Sequence, residues 1–218
     1  MLLHPPRGVL TVTVWLTADP HLGHGLVSGI RGYADPAEHD TALCDAWAAT
    51  VRPRDQVWVL GDLAVSNPGY ALGLVAALPG EKHLVAGNHD ACHPMHRRAH
   101  RHLPRYLEVF ASVSTYARRR VGREDVLLSH FPYRGDHTEA ARYTQYRLPD
   151  EGRWLVHGHT HSTGRRSGRE VHVGWDAWGR LVSWDEVVSL VAEESNVRSP
   201  LTNPGGAATV GLVGHDGY

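Results

Sequence analysis

Trp15-Leu16-Thr17-Ala18-Asp19-Pro20-His21-Leu22-Gly23-His24 is the stretch whose reading decides the fold. An apolar, β-rich run, Val12–Thr17, passes directly into a loop that begins with a carboxylate and carries imidazoles. The same order recurs along the chain. Val57–Leu60 stops at Gly61-Asp62, and His83–Ala86 delivers Gly87-Asn88-His89-Asp90. Val126–Ser129 delivers His130, and Trp154–His157 delivers Gly158-His159-Thr160-His161. Between these runs, Glu38–Val51 sets Leu43, Trp47 and Val51 at helical spacing, and Pro68–Leu78 reads as a helix ended by Pro79-Gly80. Glu170–Val173 and Leu181–Trp184 read as closing strands before a short helix, Trp184–Ala192. Strands alternating with helices imply an α/β fold, with ligand-type residues gathered at the carboxyl ends of strands, where open α/β sheets bind ligands. Glycines 61, 87 and 158 are expected to let the chain turn sharply off each strand.

The bulk composition sets outer limits. At 218 residues and 24.0 kDa a single domain is the expectation, with enough chain for a two-sheet core. A formal net charge of -1 gives no general attraction to nucleic acid or membrane. The cysteines, Cys44 and Cys92, do not make a disulfide framework, so a cytoplasmic location is expected. The apolar run before Asp19 is too short to span a bilayer. Residues 1–11 are expected to be an N-terminal extension, 12–192 the folded domain, and 193–218 a flexible, Ser/Asn/Pro/Gly-rich tail. Histidine is the outlier with 17 copies, while Lys82 is the only lysine.

Hydrolysis of a phosphate ester needs an activated water and neutralised phosphoryl oxygens, which two divalent ions about 3.5–4 Å apart supply together. The loop residues offer a fitting mixture of carboxylate, amide and imidazole donors. Their order resembles the calcineurin-like metallophosphoesterases over roughly Val14 to Val188. The resemblance implies that family's two-sheet β-sandwich flanked by helices. It further implies that Asp19, His21 and His161 hold one ion, Asp62 bridges, and Asn88, His130 and His159 hold the second. His89 resembles the family's catalytic histidine, acting as general acid while a metal-bound hydroxide attacks in line. Asp90 is read either as a carboxylate orienting His89 or as a plain helix N-cap. His24 is either a substrate contact or a satisfied loop histidine. Mixed oxygen and nitrogen ligands suit Mn²⁺, Fe or Zn²⁺, of which Mn²⁺ is favoured.

The flanks bear on substrate. The opening stretch, with Val173-Gly174-Trp175-Asp176-Ala177-Trp178 and Val182-Ser183-Trp184-Asp185-Glu186, is similar to a small phosphoesterase group of bacteria and phages, mycobacteriophage-type phosphodiesterases in particular. That group implies phosphodiester hydrolysis, and 2′,3′-cyclic nucleotides are the expected substrates. Phosphomonoester hydrolysis, cleavage at nucleic-acid ends and a non-catalytic metal-binding scaffold stay open. Trp175 and Trp178 are expected to pack in the core or the cleft wall. The polar segment from Phe131 to Arg153 is either a partial cap, with Tyr133 and Arg134 reaching substrate, or a solvated loop. His93–Arg105 is the strongest basic patch, where His96 and His100 share a face if the segment is helical. Beside the cleft it would favour RNA or oligonucleotides. The sequence leaves oligomeric state open.

Overall fold

The computed structural model describes residues 11–197. Apart from α1, which the sequence reading did not anticipate, the first strands and helices follow the expected order: β1 Val14–Thr17, α1 Gly25–Ile30, α2 Pro36–Thr50, β2 Gln56–Val59, α3 Pro68–Ala77 and β3 Glu81–Val85. Then come α4 Ala99–Leu107, β4 Ser112–Ser114, β5 Tyr116–Val121, β6 Glu124–Ser129 and β7 Trp154–His157. The chain closes with β8 Arg166–Ser167, β9 Glu170–His172, α5 Trp175–Trp178, β10 Val182–Ser183 and α6 Trp184–Val197. The expected extension lies, but for residue 11, outside the described residues, as do positions 198–218 of the expected tail. Helix α6 runs on to Val197, past the boundary expected at 192.

Local chemistry explains where the helices begin. Asp35 caps α2 by accepting from the Glu38 amide at 2.9 Å, ahead of Pro36 in the first turn. Asn67 does the same for Tyr70 ahead of Pro68 in α3. At α6, Ser183 and Glu186 cap each other: the Glu186 amide donates to Ser183 Oγ and the Ser183 amide to Glu186 Oε2.

Two mixed sheets pack face to face in one domain. The first runs β10-β1-β2-β3-β4, with β10 antiparallel to β1 and the others parallel. The second runs β5-β6-β7-β9-β8, parallel only at its centre. Alternation along each strand sorts the side chains into layers. Leu16, Leu60, Val85, Val126, Leu128, Val156, Val171 and Val173 fill the space between the sheets, closed by Val187 and Val191 of α6. Val57, Val59 and Leu84 face the other way and pack on Leu43 and Trp47 of α2, Leu72 and Val75 of α3, and Tyr106 of α4. Trp175 joins that outer core, and the Trp178 indole donates to the His172 carbonyl.

At the carboxyl ends of the strands the sheets are stitched together. The Ala18 amide donates to the Val173 carbonyl, the Trp175 amide to Ala18, and the Asp19 amide to Gly61. Every ligand-bearing loop therefore emerges at one rim. Among the described residues, no helix is long and apolar enough to cross a membrane.

Candidate metal centre

The loops after β1, β2, β3, β6 and β7 bring their polar side chains together at this rim. Asp19, His21 and His161 form one cluster, and Asp62, His130 and His159 form another, with donor atoms in each within 4.8 Å of one another. His21 Nε2 and His161 Nε2 stand 3.1 Å apart. His130 Nε2 lies 3.1 Å from Asn88 Oδ1 and 3.2 Å from His159 Nδ1. Asp62 Oδ2 sits between the clusters, 3.9 Å from His21 Nε2 and 3.5 Å from His130 Nε2.

Hydrogen bonds to the far side of each imidazole fix which nitrogen faces inward. His130 Nδ1 donates to the Leu60 carbonyl, so its Nε2 lone pair points into the cluster. His159 Nε2 donates to Asp136 Oδ2 at 3.1 Å, leaving Nδ1 free to accept. His161 Nδ1 donates to Asp176 Oδ2 at 2.9 Å, leaving Nε2 free. Lone pairs that face one another at these distances repel unless a cation lies among them. Asp19 Oδ1 is buried without a hydrogen-bond partner, which fits an oxygen that ligates a cation. Burial raises the Asp62 carboxyl well above the usual range, and burial likewise lowers His21 and His130 well below theirs. Buried carboxylates, neutral imidazoles and an amide oxygen are a donor set for divalent ions of the Mn²⁺, Fe or Zn²⁺ kind.

The backbone is strained at the same residues. Asp19, His21, Asp62, His159 and His161 have φ between 47° and 70°, and Tyr143 is the remaining non-glycine with positive φ among the described residues. Each such conformation costs roughly 1–3 kcal/mol, held by the surrounding structure. Of the rim glycines only Gly61, at φ 83°, turns the chain as expected. Gly87 and Gly158 are bare for a different reason: a Cβ on Gly87 would strike Asp62 Oδ1, and one on Gly158 would come within 2.5 Å of Asp19 Oδ2.

Asp90 corrects an expectation. It neither orients His89 nor caps a helix: its carboxylate accepts the amides of Asp62 (2.9 Å), Leu63 (3.1 Å) and Gly87 (2.8 Å). Fully buried, it ties the loops after β2 and β3 together. His89 is held through its own amide, which donates to Asp62 Oδ1 at 2.8 Å. Its half-buried ring stands with Nε2 3.9 Å from Asp62 Oδ2. Burial, with the neighbouring charge of His24 and His137, pushes it down to about 4. His89 and His24 line one cavity of about 430 Å³ with His21, Asp62, His159 and His161.

Tyr133 and Arg134 are elsewhere. They line a separate cavity of about 530 Å³ with His157, Glu170 and His172, on the outer face of the second sheet. Tyr133 is buried with its hydroxyl donating to the Arg153 carbonyl, and exposed Arg134 pairs with Asp150, so neither reaches the metal-type donors. The surrounding segment is nevertheless an anchored border of the cleft. Asp136 gathers the amides of His137 and Arg142 and the guanidiniums of Arg142 (3.0 Å) and Arg147 (3.3 Å), and reaches His159. His137 lines the cleft cavity.

The basic segment also differs from expectation. His96 precedes α4 and does not share a helix face with His100; its Nε2 donates to the Asn88 carbonyl at 2.9 Å. None of the arginines between 93 and 105 lines the cleft cavity.

Sequence reading missed three residues that hold the site: Arg31, Asp136 and Asp176. Arg31 makes a bidentate pair with Asp176 and donates to the Asp19 carbonyl at 2.8 Å, connecting both ends of the first cluster. Burial would raise the Asp176 carboxyl, but Arg31 and His161 hold it well below the usual carboxylate range.

A family model for the calcineurin-like phosphoesterase superfamily domain matches residues 17–175. The chain belongs to the calcineurin-like phosphoesterase superfamily. Like that superfamily, it is a metal-dependent phosphoesterase. The Gene 66 protein of Mycobacterium phage L5 is 50% identical over 192 residues, covering 81% of this chain and 93% of the phage protein. The Gene 66 protein of Mycobacterium phage D29 is 47% identical over 190 residues, covering 82% and 95% respectively. A solved protein of unknown function from Aquifex aeolicus shares the fold, with a TM-score of 0.62 at 21% identity over 83% of this chain and 100% of that one.

Proposed function

We propose that this phosphoesterase hydrolyses small phosphodiesters, 2′,3′-cyclic nucleotides in particular, at a dinuclear Mn²⁺ centre. The observation that carries the reading is the pair of adjoining donor clusters, with Asp62 of one 3.9 Å from His21 of the other, opening with His89 onto one cavity. Two divalent ions bound there supply charge neutralisation and an activated water. Asp19, His21 and His161 would hold one ion, Asn88, His130 and His159 the other, and Asp62 would serve both. His89 lies close enough to Asp62 to meet the leaving oxygen of an ester seated at both clusters. In this reading His89, protonated from solvent, would give that proton to the departing alkoxide as the phosphorus–oxygen bond breaks.

A diester is favoured over a monoester by the charge of the walls. Among the described residues, no Lys or Arg lines the cleft cavity, so nothing beyond the ions balances a dianion. The same feature disfavours a nucleic-acid strand, whose flanking phosphates call for basic contacts. A cavity of about 430 Å³ suits a mononucleotide-sized ligand. Action in the cytoplasm accords with both cysteines being free thiols.

The test is product analysis with Mn²⁺-loaded protein on 2′,3′-cyclic AMP, 3′,5′-cyclic AMP and a phosphomonoester, beside His89→Ala. Preferential, His89-dependent opening of the 2′,3′ ring is expected. Faster monoester hydrolysis would make the enzyme a phosphatase, and inactivity on all three would refute the proposal.

A further inference from the structure

The cleft has an apolar wall that the metal chemistry does not use. Leu26 and Ile30 stand one helical turn apart on α1, with relative exposures of 69% and 74%. Together with Val27 and Val65 they line the same cavity as His24 and His89. Exposed large apolar side chains on a structured element are a binding feature when they are contiguous and face a cleft.

The wall is held in place. Val27 and Ser28 are buried, the Ser28 amide and hydroxyl both donate to the His24 carbonyl, and the Arg31 amide donates to the Val27 carbonyl. Arg31 then locks the end of α1 to Asp176 and to the Asp19 loop. Leu26 and Ile30 are thus pinned by the same contacts that build the first metal-type cluster. A short helix without such anchors would fray and give no defined surface.

We infer that Leu26, Ile30 and Val65 form the subsite for the organic part of the substrate, and that this part presents a flat, apolar-faced ring such as a nucleobase or an aryl group. The inference rests on the phosphoesterase reading of the adjoining donors and specifies what the ester must carry. Three features select this occupant. The wall is continuous with the reacting centre rather than on a separate face, so a group attached to the bound phosphorus reaches it. It is made of branched aliphatic side chains, which pack on a ring face without demanding a hydrogen-bond pattern. His24, at the start of the same helix, and His137 line the cavity too, imidazoles that pack edge-on or face-on against a ring but bring no fixed cation. A sugar-phosphate strand or a polar alcohol would leave these aliphatic groups in poor contact.

The experiment compares binding of two monoanions, the methyl esters of phenylphosphonate and methylphosphonate, to Mn²⁺-loaded protein by isothermal titration, for the wild type and for Leu26→Ser combined with Ile30→Ser. Both positions are exposed, so the double variant is expected to fold, and circular dichroism checks this. Covering about half of a phenyl ring predicts roughly tenfold tighter binding of the phenyl compound in the wild type. In the double variant that ratio is expected to fall to within about twofold of unity. Equal wild-type affinities, a ratio that survives the substitutions, or no binding of either compound would overturn the inference. A wild-type dimer in sedimentation that separates in the double variant would assign the wall to a second copy of the chain and overturn it equally. Hydrolysis of bis(4-nitrophenyl) phosphate by the wild type, measured in parallel, reports on the phosphodiesterase reading separately.

Discussion

Asp136→Asn should weaken one metal site and leave the other nearly intact. Asp136 Oδ2 accepts from His159 Nε2 at 3.1 Å, which fixes the ring so that Nδ1 faces His130 and Asn88. Burial would raise this carboxyl, but Arg142 and His159 hold it well below the usual range, so the His159 contact is charge-assisted at neutral pH. An asparagine keeps the shape and can still accept through its carbonyl, but it loses the charge that makes the imidazole a stronger donor to metal. Carboxylates that orient ligating histidines are typically worth 10–100-fold in metal affinity, or about 1.4–2.7 kcal/mol. Asp136→Ala would be less informative, because it strands Arg147, whose side chain is 6% exposed, without its ion-pair partner. Breaking such a buried pair costs roughly 3–5 kcal/mol in stability and would mix folding with binding. The assay is Mn²⁺ titration of chelator-stripped protein by calorimetry, resolving two binding steps. Asp176→Asn serves as the mirror image, since it supports His161 in the other cluster. The expected result is a 10–100-fold loss confined to one step in each variant, and to different steps in the two. Wild-type affinity for both ions in Asp136→Asn would refute the reasoning.

Other consequences are as direct. Asn88→Ala should weaken one Mn²⁺ site, whereas His89→Ala should bind both ions normally and turn over about 10²–10⁴-fold more slowly; equal metal loss in both variants would erase that distinction. Metal at a hundred times its dissociation constant should stabilise the fold by about 2.7 kcal/mol, raising Tm by roughly 5–11 °C over chelator-treated protein, which thermal melts will register. At α6, hydrogen bonding to Arg180 and to the Ser183 amide lowers the Glu186 carboxyl to about 2. Its folded value lies below its unfolded one, so its contribution is complete above about pH 5 and fades as pH falls toward 2. Glu186→Ala should accordingly cost about 1 kcal/mol in urea melts at pH 7, discounted for the partial exposure of the pair, with a smaller difference at pH 3.

Much of this arrangement was legible in the sequence because the strands announce themselves and each stops at a polar loop. Parallel central strands such as Val57–Leu60 are apolar throughout, and the residues that follow can only lie at the rim. The edge strands β4, β5 and β8 were not legible, whereas the two-residue edge strand β10 was read within Leu181–Trp184. Arg-rich β5 is half exposed and reads as a basic surface, and β8 contains only Arg166 and Ser167. Supporting residues were the harder part of the site. Asp136 and Asp176 were in view as members of a polar segment and a tryptophan motif, but their partners, His159 and His161, lie 23 and 15 residues away. Arg31 reaches Asp176 over 145 residues, and no local pattern encodes such a pair. Asp90 misled for the opposite reason: its nearness in sequence to His89 suggested a side-chain contact, whereas the tight turn aims its carboxylate at the amides of Asp62, Leu63 and Gly87.

The most direct test of the dinuclear centre is an anomalous-scattering map from a crystal of the Mn²⁺-loaded protein. Two peaks about 3.5–4 Å apart, one on each side of the Asp62 carboxylate, are the predicted result. A single peak, or ions bound away from Asp19, Asp62 and His130, would contradict it.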